Sequence, residues 1–207
     1  TAPDIELCGL DRDEEAMALA KQRLAVFGNR AHFFHCNYSD FTGPLAELGW
    51  DKIDGALLDI GVSSLQLDEA GRGFSFIGDG PLDMRMDQSS GQPSAWHWVN
   101  RESFAKLKEC IAMLGEEPQA GRIARVIVEA RQKASIDTTA ELAALVEKAY
   151  PAAWRAKARR HPATRTFQAL RMAVNDELGE LRRFLDNILA YLPIGGRLAV
   201  ITFHSLE

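Results

Sequence analysis

The chain has 207 residues, 46% of them hydrophobic, and a formal net charge of −5. That supplies one ordinary core, or a core with a small insert, and the acidic balance excludes a wholly basic nucleic-acid binder. No apolar run approaches the roughly 18 residues needed to cross a bilayer, and residues 1–20 lack the basic-then-apolar layout of a signal peptide. The three cysteines, Cys8, Cys36 and Cys110, are far apart and out of metal-ligand spacing. The expectation is buried free thiols in a reducing cytoplasm.

In chain order, IELCGLD (5–11) predicts a buried strand that ends in an acid. A helix follows, with Ala16, Leu19, Ala20, Leu24 and Phe27 at helical spacing and Gly28 at its end. AHFFHCN (31–37) predicts the next strand, a short helical piece runs to Trp50, and KIDGALLDIG (52–61) predicts a third strand, again ending in an acid. Strand–helix–strand alternation points to a parallel sheet with helices on its faces. From about Ser94 only helical patterns occur, over 94–113, 117–133, 139–149 and 164–190, with Thr138 and Thr139 as N-cap candidates. GGRLAVITF (195–203) restores a strand. The layout is therefore α/β, a helical insert, and α/β again.

Two stretches resist this periodic reading. GRGFSFIGDGPLDMRMD (71–87) is irregular yet both apolar and acidic. A linker would not carry its aromatics, and long ordered loops usually close over a ligand. The second stretch is 150–175, where Arg155, Lys157, Arg159, Arg160, Arg165 and Arg171 occur with no acid, leaving −11 on the rest of the chain. A basic patch on an acidic protein fits selective polyanion binding; a solvated helix face fits the charge equally well.

In open α/β sheets ligands bind beyond the carboxyl ends of strands, which singles out Asp11 and Asp59. An acid after the second strand of such a sheet can accept both hydroxyls of a ribose, but LDRDEE also looks like a helix cap, and the residues alone favour the cap at Asp11. Asp59 in ALLDIGVSS can accept a hydrogen bond from an amine or hydroxyl, or serve as a turn aspartate. His32 and His35 point to opposite faces of a strand and give no metal signal. Phosphate-loop and nucleophile-elbow motifs are missing, so kinase and hydrolase readings are weak.

DGALLDIGVSSLQLDEAGRGFSFIGDGPLDMRMD (54–87), HPATRTFQALRMAVNDEL (161–178) and GGRLAVITFHSLE (195–207) closely resemble the RsmH family, also called MraW. Its members are S-adenosylmethionine-dependent enzymes that methylate N4 of a cytidine in the decoding region of 16S ribosomal RNA. The resemblance implies a Rossmann-like class I methyltransferase sheet over 1–92 and 189–207, with a helical, RNA-recognising insert over 93–188. It also implies S-adenosylmethionine as cofactor and the small ribosomal subunit as partner, with no metal and no membrane; a homodimer stays open.

Carried over residue by residue, the resemblance assigns Asp11 to the ribose hydroxyls, against the capping preference, and Tyr38 to the adenine. Asp59 and Gln66 take the remaining cofactor contacts; Leu65 stands where the family usually has proline. Phe74, Asp83 and Arg85 fall in a segment that lies beside the family's active site, as RNA or base contacts. The basic run, Arg155, Lys157, Arg159, Arg160 and Arg165, is the source of phosphate contacts. The N4 lone pair of cytosine is delocalised into the ring, so an acceptor for one N–H would assist transfer; Asp59 is the first candidate, and His204 the second, for proton handling or base positioning. The target base must also be unstacked.

Against the family pattern, the first strand with its glycine-rich loop and the final strands are absent, so a fragment with weak methyl-donor binding is expected. Two other classes remain: a methyltransferase acting on another nucleic-acid amine, such as DNA cytosine, and a non-catalytic RNA-binding or ribosome-assembly module.

Overall fold

The computed structural model describes residues 4–151 and 161–207. It is a mixed α/β chain with parallel strands, and it divides into two compact units, one of Thr1–Gly61 with Glu177–Glu207 and one of Val62–Asp176.

In the first unit, β1 (Leu7–Asp11) runs parallel to β2 (Ala31–His35), with Leu7 opposite Ala31 and Asp11 opposite His35. The helix between them, α1 (Glu14–Arg23), starts at Asp13, whose carboxylate accepts the Glu15 and Ala16 N–H groups at 3.1 and 3.4 Å. Glu14 and Glu15 in its first turn and Lys21 and Arg23 in its last both favour the helix dipole. The apolar period predicts a helix as far as Gly28, but α1 stops at Arg23, and a 3₁₀ segment (Ala25–Arg30) with Gly28 at φ 57° leads into β2. α2 (Thr42–Leu48) closes on left-handed Gly49, φ 71°.

β3 (Gly55–Asp59) pairs in parallel with a strand from the far end of the chain, β4 (Arg197–Ile201), Asp59 standing opposite Ile201. Among the described residues the two strand pairs are separate sheets. Phe41, Leu45, Leu58 and Ile60 form one cluster with Leu181, Phe184 and Ile188, which recur along one stripe of a helix over Glu177–Ile188. Cys8 and Leu10 of β1, with Ala56 and Leu198 of β3 and β4, pack on the same cluster, so one helix face serves both strand pairs. All three cysteines are free; Cys110 is buried, whereas Cys8 and Cys36 are only half-buried.

The second unit is helical: α3 (Ser64–Asp68), α4 (Ala95–Arg101), α5 (Phe104–Met113), α6 (Ala120–Arg131), α7 (Thr139–Ala149) and α8 (Thr164–Asn175), the helix over Glu177–Ile188 of the first unit then being α9. Two helices expected to be continuous are broken. The stretch 94–113 splits where Glu102 turns extended: Ser103 caps α5 by accepting the Lys106 N–H, and the Arg131 guanidinium donates to the Val99 and Glu102 carbonyls that α4 leaves open. The stretch 164–190 splits at Asp176, which is left-handed at φ 48°. At α7 the cap is Thr138, in a capping box with Glu141, while Thr139 turns its hydroxyl to the Gly80 N–H at 3.1 Å.

The irregular segment 71–87 is the axis of this unit. Phe74, Leu82 and Met84 are buried among Val99, Leu107, Ile111, Ile127, Leu142 and Leu170. Its backbone bonds both within itself, Met84 N–H to the Arg72 carbonyl and Asp83 N–H to that of Pro81, and outward, Leu82 N–H to the Asp137 carbonyl, Ala95 N–H to that of Asp83 and Trp96 N–H to that of Leu82. The glycines are required by close approach. A Cβ on Gly73 would stand 2.2 Å from the Pro81 carbonyl oxygen, and one on Gly80 1.8 Å from that of Ala70. Met84 holds φ 60°, uncommon for a side chain of its size. Asn175, only 1% exposed, holds it there: its Nδ2 donates to the Met84 carbonyl at 2.7 Å and its Oδ1 accepts from the Met86 N–H at 2.9 Å.

Candidate active site

The strand ends of the first unit collect the polar groups that parallel topology makes available to a ligand. Asp11 closes β1, Asn37 and Tyr38 follow β2, Asp59 closes β3 and His204 follows β4. The cap of α1 is Asp13, not Asp11. One Asp11 oxygen accepts the Asp13 N–H at 2.8 Å, and the Arg12 backbone N–H also bonds the carboxylate. Burial pushes the Asp11 carboxyl above its ordinary value, against the pull of those N–H bonds. Two backbone N–H groups leave this half-buried carboxylate lone pairs for a ligand bearing hydroxyl donors.

Asp59 is exposed, and among the described residues its carboxylate has no partner. It does not start the next helix, because the Ser63 hydroxyl accepts the Gln66 N–H at 3.2 Å in a complete capping box. The turn-aspartate reading of Asp59 thus loses its hydrogen bond. Tyr38 packs edge-on against Phe184 (centroids 5.7 Å apart) and donates from its hydroxyl to the Glu177 carbonyl at 3.4 Å. Burial, then the nearby Glu180 and Glu177 carboxylates, raise its phenol far above the usual range. His204 accepts the Leu206 N–H at Nδ1, 3.1 Å, which assigns the proton of the neutral ring to Nε2. In that tautomer Nε2 offers a hydrogen-bond donor.

The spacing-based reading passed over Asn37. Glu180, buried on α9, accepts from Asn37 Nδ2 at 3.0 Å, from the Ser39 hydroxyl, and from Arg183 at 2.6 Å. A carboxylate accepts only, so this contact fixes the Asn37 amide and turns Oδ1 the other way. That Oδ1 is buried with no donor, a cost of about 1–3 kcal/mol when nothing fills the role. The signal available in the sequence was its place beside Tyr38, just past a strand.

Gln66, Phe74, Asp83, Arg85 and Arg165 lie in the second unit. Gln66 is buried, its Oε1 accepting the Ser63 N–H at 3.1 Å. The expectation that Phe74 offers a ring to a base meets a core side chain, 6% exposed; the half-exposed aromatic of the segment is Phe76. Asp83 and Arg85 form a two-pronged pair, Nε to Oδ1 at 2.8 Å and Nη2 to Oδ2 at 2.9 Å. Burial works upward on the Asp83 carboxyl, but the hydrogen bonds from Arg85 outweigh it and the net shift is downward. Arg165 is exposed. Arg155, Lys157, Arg159 and Arg160 lie outside the described residues. Among the described residues no group of three or more His, Cys, Asp or Glu side chains is placed to hold a metal ion, and no helix is long and apolar enough to cross a membrane.

The pattern that defines the MraW methylase family matches residues 1–207. The chain belongs to the MraW methylase family. Among curated MraW-type proteins, the ribosomal RNA small subunit methyltransferase H of Desulfovibrio desulfuricans is 85% identical over the whole of this chain, which covers 63% of that protein. The protein of the same name from the Miyazaki F strain of Nitratidesulfovibrio vulgaris is 65% identical over 99% of the chain and 57% of its own length. That of Lawsonia intracellularis is 58% identical over 98% of the chain and 65% of its own length. This MraW chain therefore spans less than two thirds of the length of these relatives.

Proposed function

We propose that these residues belong to an S-adenosylmethionine-dependent enzyme that methylates N4 of a cytidine in the decoding region of 16S ribosomal RNA, acting in the cytoplasm on the small ribosomal subunit. The observation that supports the reading most directly is the set of acceptors at the strand ends, Asn37 Oδ1 and Asp59 without protein donors and Asp11 held by backbone N–H groups alone, in a chain of the MraW methylase family. That set matches the donors of an adenosine: a ribose diol and an exocyclic amine. The sheet is read as the Rossmann-like class I type, with the helical unit as the RNA-recognising insert.

In this reading Asp11 accepts the ribose hydroxyls, Tyr38 flanks the adenine with its ring braced on Phe184, and Asn37 Oδ1 accepts from the amine. When bound, the cofactor supplies a methyl group on a positively charged sulfur. Asp59 then accepts an N–H, from the cofactor's amino group or from the cytosine amine; in the latter role it keeps electron density on nitrogen. His204, proton-bearing at Nε2, donates to a base acceptor and so orients the ring. Gln66 shapes the turn after Asp59 through its capping box, and its direct cofactor contact rests on the family resemblance alone. Asp83 and Arg85, already paired, hold the 71–87 segment in shape, with Arg85 keeping a charge for RNA phosphate. The basic run 155–165 adds phosphate contacts.

The test uses a protein of the relatives' full length carrying these 207 residues, incubated with radiolabelled methyl donor and unmodified small ribosomal subunits. Nucleoside mass analysis is expected to show N4-methylcytidine from the wild type and a loss of about 100-fold or more in rate for Asp59→Asn, the scale of a positioned proton acceptor. Methylation of naked DNA in preference to subunits, or unchanged turnover in the variant, would contradict the assignment.

A further inference from the structure

Outside the strand ends, the second unit holds a three-ring stack. Phe167, buried on α8, meets the Phe76 ring edge-on, centroids 4.9 Å apart at 75°. His161 lies over Phe76, 4.5 Å away and tilted by 32°. Phe76 is half-buried and His161 is exposed, so the stack leads from the core of the unit to its surface. The His161 ring is further pinned because its Nδ1 accepts the Ala163 N–H at 3.2 Å, which assigns the proton to Nε2. Ile77, the residue after Phe76, is 94% exposed.

We infer that His161, backed by Phe76, is a stacking surface for an unpaired RNA base. The inference rests on the RNA-substrate reading above and names a contact for it. Nucleobases stack on flat side chains whatever their identity, and a ring already fixed from behind loses little freedom when a base arrives. The charge of the neighbouring sequence suits the same partner. Arg159 and Arg160 immediately precede His161 in the sequence, Arg165 is exposed in the first turn of α8, and residues 150–175 contain no acid. Stacking rings beside cations are the combination that holds single strands, with backbone phosphate on the cations and bases on the rings. An anionic lipid surface would use the cations and leave the stacked ring without a role. In the enzyme, His161 stacks an unpaired base of the substrate strand, offsetting part of the cost of unstacking that strand. The irregular segment thus carries an aromatic to the RNA, and it is Phe76, not Phe74.

The experiment measures binding of a fluorescent single-stranded oligocytidylate of about ten nucleotides, and of an abasic strand of equal length, to the 207-residue chain and its variants. His161→Ala is expected to weaken oligocytidylate binding about tenfold and to leave abasic binding within about twofold. His161→Trp, which restores a flat ring, is expected to recover most of the loss. Arg165→Ala is expected to weaken both strands alike. Thermal unfolding of each variant separates these effects from loss of fold. Equal loss on both strands for His161→Ala, full binding by that variant, or no binding by the wild type overturns the inference. Base-dependent loss at His161 in a protein that transfers no methyl group would sustain the stacking surface and reject the methyltransferase reading.

Discussion

The two units treat their acidic, irregular stretches in opposite ways. At the strand ends of the first, Asp11 is held by backbone N–H groups and no cationic side chain is paired with it, Asp59 has no partner among the described residues and Asn37 Oδ1 is buried without a donor. In the 71–87 segment of the second, Asp83 is gripped by Arg85, and Asn175 holds the Met84 and Met86 backbone. Open acceptors at the ends of parallel strands are unfinished without a ligand. Paired ones inside a helical unit are architecture. The contrast separates residues whose loss removes binding from residues whose loss removes the fold.

The sharpest break of that contrast is expected at Phe74. Phe74→Ala removes a ring from the core and should destabilise the second unit by about 3–5 kcal/mol in urea unfolding; a stable variant with altered RNA binding would make Phe74 a substrate residue after all. Next comes Asn175→Ala. It strands the Met84 carbonyl and the Met86 N–H and releases a left-handed turn, so a loss of about 2–4 kcal/mol is expected in the same measurement.

Asp83→Asn should cost about 1.5–3 kcal/mol at neutral pH, since it replaces a charge-assisted pair. Because the folded Asp83 carboxyl lies below its ordinary value of 3.8, the stability it adds is present above that value and is lost as pH falls through the lower folded one. The variant's deficit against wild type should therefore shrink in acid, and a constant deficit from neutral pH to about pH 3 would show that shape, not charge, is what Asn lacks. The smallest effect on folding is expected for Asp11→Asn. Burial raises the Asp11 carboxyl above 3.8, so its favourable contribution is full below that value and is lost as pH rises through the folded one. At neutral pH the variant should match or slightly exceed the wild type in stability, within about 0.5 kcal/mol.

Much of the first unit was legible before any coordinates. Short apolar runs ending in acids gave β1 and β3 their carboxyl ends to within two residues, and with them Asp11 and Asp59. What escaped was decided by contacts distant in sequence. The breaks at Glu102 and Asp176 fall inside unbroken apolar periods, and the first is set by Arg131 reaching back from another helix. The role of the 71–87 segment depends on Asn175, 91 residues beyond Met84. Phe74 and Phe76 are indistinguishable in a string without period; only the core of the helical unit decides which is buried. The Ser63–Gln66 box was legible in principle, as a serine three residues before a glutamine, but the irregular composition that follows hid the short helix it starts.

Calorimetric titration with S-adenosylhomocysteine tests the central claim most directly, comparing wild type and Asp11→Asn in the full-length carrier protein alongside their melting temperatures. The account predicts binding by the wild type and a loss of about 10- to 100-fold in the variant, the scale of a charge-assisted hydrogen bond, with no fall in melting temperature. Equal affinity in the two proteins, or a loss of affinity that only follows a loss of fold, would contradict it.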